Sequence, residues 1–198
     1  MTQLSLQERF ITALNREEFG QVAHHLEHMD TQKGLAAIPL VLEYLKNHEK
    51  ERRARDKKYT KQKEKPIELH DLNVNLIPAA LWASMLRKLN GRGVRFDDKE
   101  ATQTAVDVLQ LAVKTRRDDV LPHILEVVHR IRRGSHYKSG AEDGRLDNRV
   151  AVSLLGVLHR LDEHKECIRE GHQKTLPKYI QHVQNEAVNR QIRIFRMH

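Results

Sequence analysis

Three groups of cationic side chains are the residues of this chain best suited to chemistry, and that chemistry is the neutralisation of phosphate. From Lys46 to Lys65 there are ten Lys or Arg (Lys46, Lys50, Arg52, Arg53, Arg55, Lys57, Lys58, Lys61, Lys63, Lys65) against four carboxylates (Glu49, Glu51, Asp56, Glu64). The excess is +6, most of the +8 carried by the whole chain. Cations at this density displace counterions from a polyanion, which gives an attraction that weakens steeply with salt. Tyr59 is the only aromatic in the run, so the base-stacking platforms used on single strands are barely represented. The competing use of such a run is a solvated helix face laced with ion pairs.

Two further groups add to this. Arg130, Arg132, Arg133, His136 and Lys138 fall at the end of an apolar-periodic stretch and the start of a glycine-containing loop. Arginines there can grip a phosphate bidentately beside backbone N–H groups; basic residues in a last turn also simply compensate the helix dipole. From His172 to His198, Lys174, Lys178, Arg190, Arg193 and Arg196 face a single acid, Glu186. The last three arginines are spaced by three, so neighbours share a helix face while the row drifts around the axis.

Arg130 and His136, with five residues between them, suggest a sharper chemistry. On these two residues the chain resembles the helical HEPN ribonucleases, in which the motif's His handles the proton and its Arg stabilises phosphate charge. Ile131 stands where that motif usually has a polar side chain, and the match extends no further. A ribonuclease that cleaves RNA is what the resemblance implies, as a remote alternative.

Metal-ligand chemistry has two weaker foci. His24 and His28 are four apart and share a helix face, with His25 and Glu27 beside them; His164, Cys167 and His172 form a second group. Neither supplies the four ligands of a closed zinc site, and no metal or other cofactor is expected. No glycine-rich phosphate loop and no G-x-S-x-G turn occurs. Cys167 has His164 three residues away but no third group to orient a catalytic pair. The expectation is a protein that is not an enzyme.

Composition sets the frame for these side chains. The chain has 198 residues, 39% hydrophobic and 31% charged, with one Trp and a calculated pI near 9.7. A lean core of Leu, Val, Ile and Ala suits helices better than sheets, whose strands favour aromatic and β-branched residues. Thirteen histidines give the charge a steep dependence on pH near the ordinary imidazole value of about 6.5. The single cysteine excludes an intrachain disulfide and fits a reducing compartment. No signal peptide is visible at the N-terminus, and the longest apolar run, Leu35 to Leu42, is far short of the roughly 18 residues of a membrane span. An intracellular protein, cytoplasmic or nuclear and not secreted, is the expectation.

The elements that must position the basic groups are legible as helices. Ser5 with Glu8, Asn15 with Glu18 and Asp97 with Glu100 have the spacing of capping boxes. Apolar faces follow them: Leu6, Phe10, Ala13, Leu14; then Phe19, Val22, Ala23, Leu26, Met29; then Ala101, Ala105, Val108, Leu109, Ala112, Val113. Asp30 to Gly34 ends the second helix, and a third starts at Leu35 with Pro39 in or just beyond its first turn. After Lys46 the apolar face disappears, so residues 46–66 are expected to be a projecting helix or a flexible linker. Residues 67–76 are a short strand or a pinned, extended linker. Asn75 and Pro78 start a helix ended by Asn90 and Gly91. Asp118, Asp119 and Pro122 open one that Gly134 stops, and Asp147 opens another that runs past Leu161 toward Gly171. Thr175 and Pro177 open the last.

The fold class expected is all-α, an irregular bundle of about eight helices built from helical hairpins. Residues 1–45 are the N-terminal hairpin with the start of a third helix, 46–66 the basic arm, and 67–198 the main bundle. The function expected is non-enzymatic binding of RNA or DNA, mainly through the phosphate backbone, by Lys50, Arg52, Arg53, Arg55, Lys57, Lys58, Lys61, Lys63, Lys65, Arg130, Arg132, Arg133, Lys138, Arg190, Arg193 and Arg196. The alternative class is a helical adaptor or self-assembling coat-like or matrix-like subunit, with a protein partner or a second copy in place of nucleic acid.

Overall fold

Capping and apolar spacing build the first elements. In the computed structural model, which describes residues 5–56, 66–94, 96, 99–136 and 148–196, with 99, 132–136, 148–149 and 186–196 by backbone alone, α1 spans Leu6–Asn15. Ser5 Oγ accepts from the Glu8 N–H at 3.2 Å while Glu8 accepts from the Ser5 N–H at 2.7 Å, which is the reciprocal box the sequence predicts. Phe10, Ala13 and Leu14 are its buried face.

The second predicted box does not form. Asn15 is the last residue of α1, and α2 (Phe19–His28) has Glu18 as its N-cap with no side-chain hydrogen bond. Three residues are too few to leave α1 and re-enter a helix with Asn15 as a cap, and Glu17 takes φ 59° to make the corner, a strained value for a residue with a Cβ. Its carboxylate accepts from the Tyr44 hydroxyl at 2.9 Å.

The helix α3 covers Thr31–Arg55. Asp30 is its N-cap, accepting from the Lys33 N–H at 2.9 Å, so the stretch read as a terminator is a start. Pro39 therefore lies mid-helix and is exposed, where solvent can satisfy the carbonyl left without a donor. Residues 67–76 form no strand: two short 3-10 turns, Leu69–Asp71 and Val74–Leu76, carry the chain while Leu72, Val74 and Ile77 are buried. The next helix, α4 (Ala79–Leu89), is buried along Leu81, Trp82, Met85, Leu86 and Leu89.

The second half is built the same way. The helices are α5 (Lys99–Lys114), α6 (Leu121–His136), α7 (Asn148–Asp162) and α8 (Glu170–Arg196). Pro122 sits in the first turn of α6 as predicted, but α6 runs through Gly134 to His136. The expected continuation of α7 to Gly171 is broken at Asp162 by a 3-10 turn at Lys165–Cys167, and α8 starts earlier than expected, so Thr175 and Pro177 lie inside it. Asp97 and Asp147, expected caps of α5 and α7, lie outside the described residues.

Among the described residues there are eight helices and no strand, the all-α bundle of hairpins that the apolar spacing predicts. They divide into two compact units, Met1–Gly93 and Val94–His198. In the first, α2 packs on α1 and α4, and α3 on α1, α2 and α4; in the second, α7 packs on α5, α6 and α8. Residues 67–93, which the sequence groups with the C-terminal helices, are α4 and its approach, packed in the first unit. No described helix is long and apolar enough to cross a membrane.

One helix contact makes a stability prediction. A Cβ at Gly34 of α3 would lie 2.9 Å from Lys88 Cδ, and Lys88 Nζ donates to the carbonyls of Glu27 at 2.9 Å and Met29 at 2.6 Å, closing the end of α2. Gly34→Ala gains about 1 kcal/mol of helix propensity but displaces a charged donor whose bonds are worth about 1.5–3 kcal/mol. A net loss of about 1 kcal/mol is expected. Gly156, exposed in α7 with nothing described within 4 Å of its added Cβ, gives the opposite sign: Gly156→Ala is expected to gain about 1 kcal/mol. Denaturant midpoints of the two variants decide it, and equal shifts would refute the clamp.

Candidate nucleic-acid interface

Helix propensity carries α3 past its last apolar residues. Lys50, Arg52, Arg53 and Arg55 lie on its final two turns, and the Asp56 N–H closes the end by donating to the Arg52 carbonyl at 3.2 Å. The first part of the predicted arm is thus helix, continuous with a core element. Its charges are also not all turned to solvent. Glu49 is 2% exposed, against the expectation that a segment lacking an apolar stripe stays out of the interior.

Ion pairing makes that burial tolerable. Arg52 donates through Nε and Nη2, each at 2.8 Å, to the two Glu49 oxygens, and Arg53 Nε donates to Oε1 at 3.0 Å. Arg53 Nη2 also meets Asp71 Oδ2 at 2.8 Å, and that oxygen accepts from the Glu68 N–H at 2.9 Å. The Arg52 hydrogen bonds hold the Glu49 carboxyl below the usual carboxylate range, with Arg53 adding to them against the opposing effect of burial. The Glu68 N–H does the same for Asp71, with Arg53 second among the groups that lower it. Arg55 pairs more loosely with Glu51, at 3.8 Å with both exposed. Of the five described cations of this group, Arg52, Arg53 and Arg55 therefore face carboxylates, and Lys46 and Lys50 are exposed.

This network has a topological consequence. Arg53–Asp71 joins the end of α3 to the turn at Leu69–Asp71, so the segment between them, residues 54–70, starts and ends at one point of the first unit. Lys57, Lys58, Lys61, Lys63 and Lys65 all fall within it and lie outside the described residues. With one acid, Glu64, the stretch 57–65 carries +4 of the group's +6. Asp71 is not legible from the sequence as a partner of Arg53. The only signal for it was a carboxylate three residues past Glu68, the spacing of a cap.

The other groups belong to the second unit. Arg130 is partly buried on α6; Arg132 and Arg133 follow on the same helix with side chains outside the description, and Lys138 lies outside the described residues. Arg190, Arg193 and Arg196 occupy the last turns of α8, described by backbone alone. The Tyr179 hydroxyl and His129 Nδ1 share a short hydrogen bond tying α8 to α6. Arg130 is next to that tie, whereas Arg190 lies eleven residues, or about 16 Å, further along α8 at 1.5 Å per residue.

The remaining candidates lie elsewhere on the helices. Arg130 and His136 both sit on α6, where six residues of helix place the two backbone positions about 120° apart around the axis. Cys167 is hydrogen-bonded to Asp118, and this, with burial, pushes its thiol up to about 11; a thiol held protonated is a poor nucleophile. Among the described residues no group of three or more His, Cys, Asp or Glu is placed to hold a metal ion. His24 and His28 do share a face, their rings 4.2 Å apart. Compared with family models, curated proteins and solved structures, the chain matches none.

Proposed function

We propose that this is an intracellular, non-enzymatic binder of RNA or DNA that contacts the phosphate backbone through the lysines of the loop closed by Arg53 and Asp71, with the arginines of α6 and α8 extending the contact. The observation that carries the reading is the concentration of +4 in nine residues, 57–65, on a segment whose base is fixed by the Glu49–Arg53–Asp71 network. A tethered basic loop neutralises phosphates without presenting a recognition helix, which favours backbone contact over base readout. In this reading the arginines at 52 and 53 shape the loop's base, and the lysines carry the binding.

The pairing of Arg52, Arg53 and Arg55 with carboxylates favours one competing reading, a helical adaptor whose charges select a protein partner. Fluorescence anisotropy with generic single- and double-stranded oligonucleotides separates the two. Nucleic-acid binding predicts measurable affinity at about 50 mM salt that falls steeply by about 200 mM. Replacing Lys57, Lys58, Lys61, Lys63 and Lys65 by Gln is expected to reduce the slope of log K against log salt by about 4, from about 0.9 per phosphate contact. No binding at the lower salt, or an unchanged slope in the variant, refutes the reading and leaves the adaptor.

A further inference from the structure

The sequence places three imidazoles, His24, His25 and His28, within five residues, and the structure puts them on the end of α2 in a setting where one has no use for a proton. His25 is partly buried, and its Nδ1 lies in the interior without a hydrogen-bond partner. The ring of His24 is 5.8 Å from that of His25 and 4.2 Å from that of His28. His28 Nδ1 is 2.8 Å from the His24 carbonyl, so its proton there is already directed to the backbone.

Among the described residues, the elements packed on α2 offer His25 no compensating charge. From α1 comes Arg9, a cation. From α4 come Arg87 and Lys88: Arg87 is paired with Glu27, which also accepts from Ser84 Oγ at 2.9 Å, and Lys88 holds the α2 carbonyls. From α3 comes Tyr44, whose hydroxyl is given to Glu17. The one carboxylate of α2, Glu27, is thus turned to α4.

We propose that the packing of α1 on α2 is an acid-sensitive joint, in which a neutral His25 is required and mild acidification, by charging His25 in the cluster beside Arg9, loosens the first unit. Burial, then repulsion from His24, Arg9 and His28, holds His25 below the ordinary histidine value of 6.5. The sign follows from proton uptake: the unfolded chain takes up the proton first as pH falls. Stability is therefore full above about 6.5 and declines as pH falls from there through the folded-state value. The carboxylates of the fold are lost at lower pH, so the two effects separate. Loosening frees the apolar faces of the hairpin, including Phe10, Val22 and Leu26, each 0% exposed.

Trp82, the only tryptophan, lies buried in α4, so its fluorescence reports the first unit. Urea unfolding of the full chain followed at Trp82 at pH 7.5 and pH 5.5 is expected to show the folding equilibrium falling by about tenfold for each pH unit that His25 is depressed. In His25→Gln the fall is expected to be largely abolished, while His172→Gln keeps it. An equal fall in His25→Gln, or none in the native chain, overturns the proposal. If His25→Gln does not fold, an imidazole NMR titration of the native chain decides: half-protonation of His25 clearly below 6.5 supports the joint, and at or above 6.5 refutes it.

Discussion

Trp82→Ala is expected to lose about 4 kcal/mol of stability, the size typical of a buried aromatic removed with its cavity left behind. The side chain is 0% exposed on α4, on the face toward the core of the first unit. Its indole Nε1–H donates to the Val74 carbonyl at 3.1 Å, and this bond pins the 3-10 turn at Val74–Leu76 to the helix it precedes. Two effects are separable. Trp82→Phe keeps most of the apolar volume and leaves the carbonyl without its donor, for an expected loss of about 2 kcal/mol. Far-UV circular dichroism against urea measures both variants without needing the lost fluorophore. Against a total of about 5–15 kcal/mol for an ordinary domain, the alanine variant keeps about 1–11 kcal/mol, a shift large enough to read in any unfolding curve. A loss under about 1 kcal/mol would place the indole outside the packed interior.

Helices whose faces repeat within the segment were legible from the sequence, and the places where reading failed are those settled at long range. Ala105, Val108, Leu109, Ala112 and Val113 announce α5 because each turn adds another apolar side chain to the same stripe, and all five are buried. Asp30 and Gly34 read as an ending because an acid and a glycine are also what turns are made of. What makes them the start of α3 is the Lys33 N–H bonded to Asp30 and the Lys88 side chain lying across Gly34, and Lys88 is far along the chain. Gly134 and Pro177 misled for a related reason: each is a helix breaker by local preference, and both are carried inside helices. The division at Gly93 and Val94 was hidden because charge shifts abruptly at Lys46 and hardly at all at Gly93. The basic residues of the candidate interface were legible as charges, but which are neutralised depends on Asp71, remote from Arg53 until the chain folds.

Glu49→Ala is the second large effect, expected to remove about 3 kcal/mol, because breaking a buried ion pair strands the partner. Arg53, with its side chain 17% exposed, would lose the Glu49 carboxylate while keeping its contact with Asp71, and Arg52, at 52%, is already largely in solvent. Glu49→Gln preserves shape and one acceptor but not the charge, and about 2 kcal/mol is expected. The decisive variant replaces both Glu49 and Arg53 by Met: with neither charge left to desolvate, much of the loss is expected to return, although Asp71 then relies on the Glu68 N–H. The acid limb offers an independent check. Glu49 and Asp71 are both held below their ordinary values of 4.5 and 3.8, so their stabilisation is full above those values and is lost as pH falls through the lower folded-state ones. Glu49→Ala removes its share, so the variant's stability should fall less steeply with acid than the native chain's. Oligonucleotide affinity measured on Glu49→Gln then tells the base of the loop from its lysines. If the lysines bind, the added positive charge leaves affinity equal or higher while stability drops. If affinity collapses together with stability, the closed geometry of residues 54–70 is itself what the ligand requires.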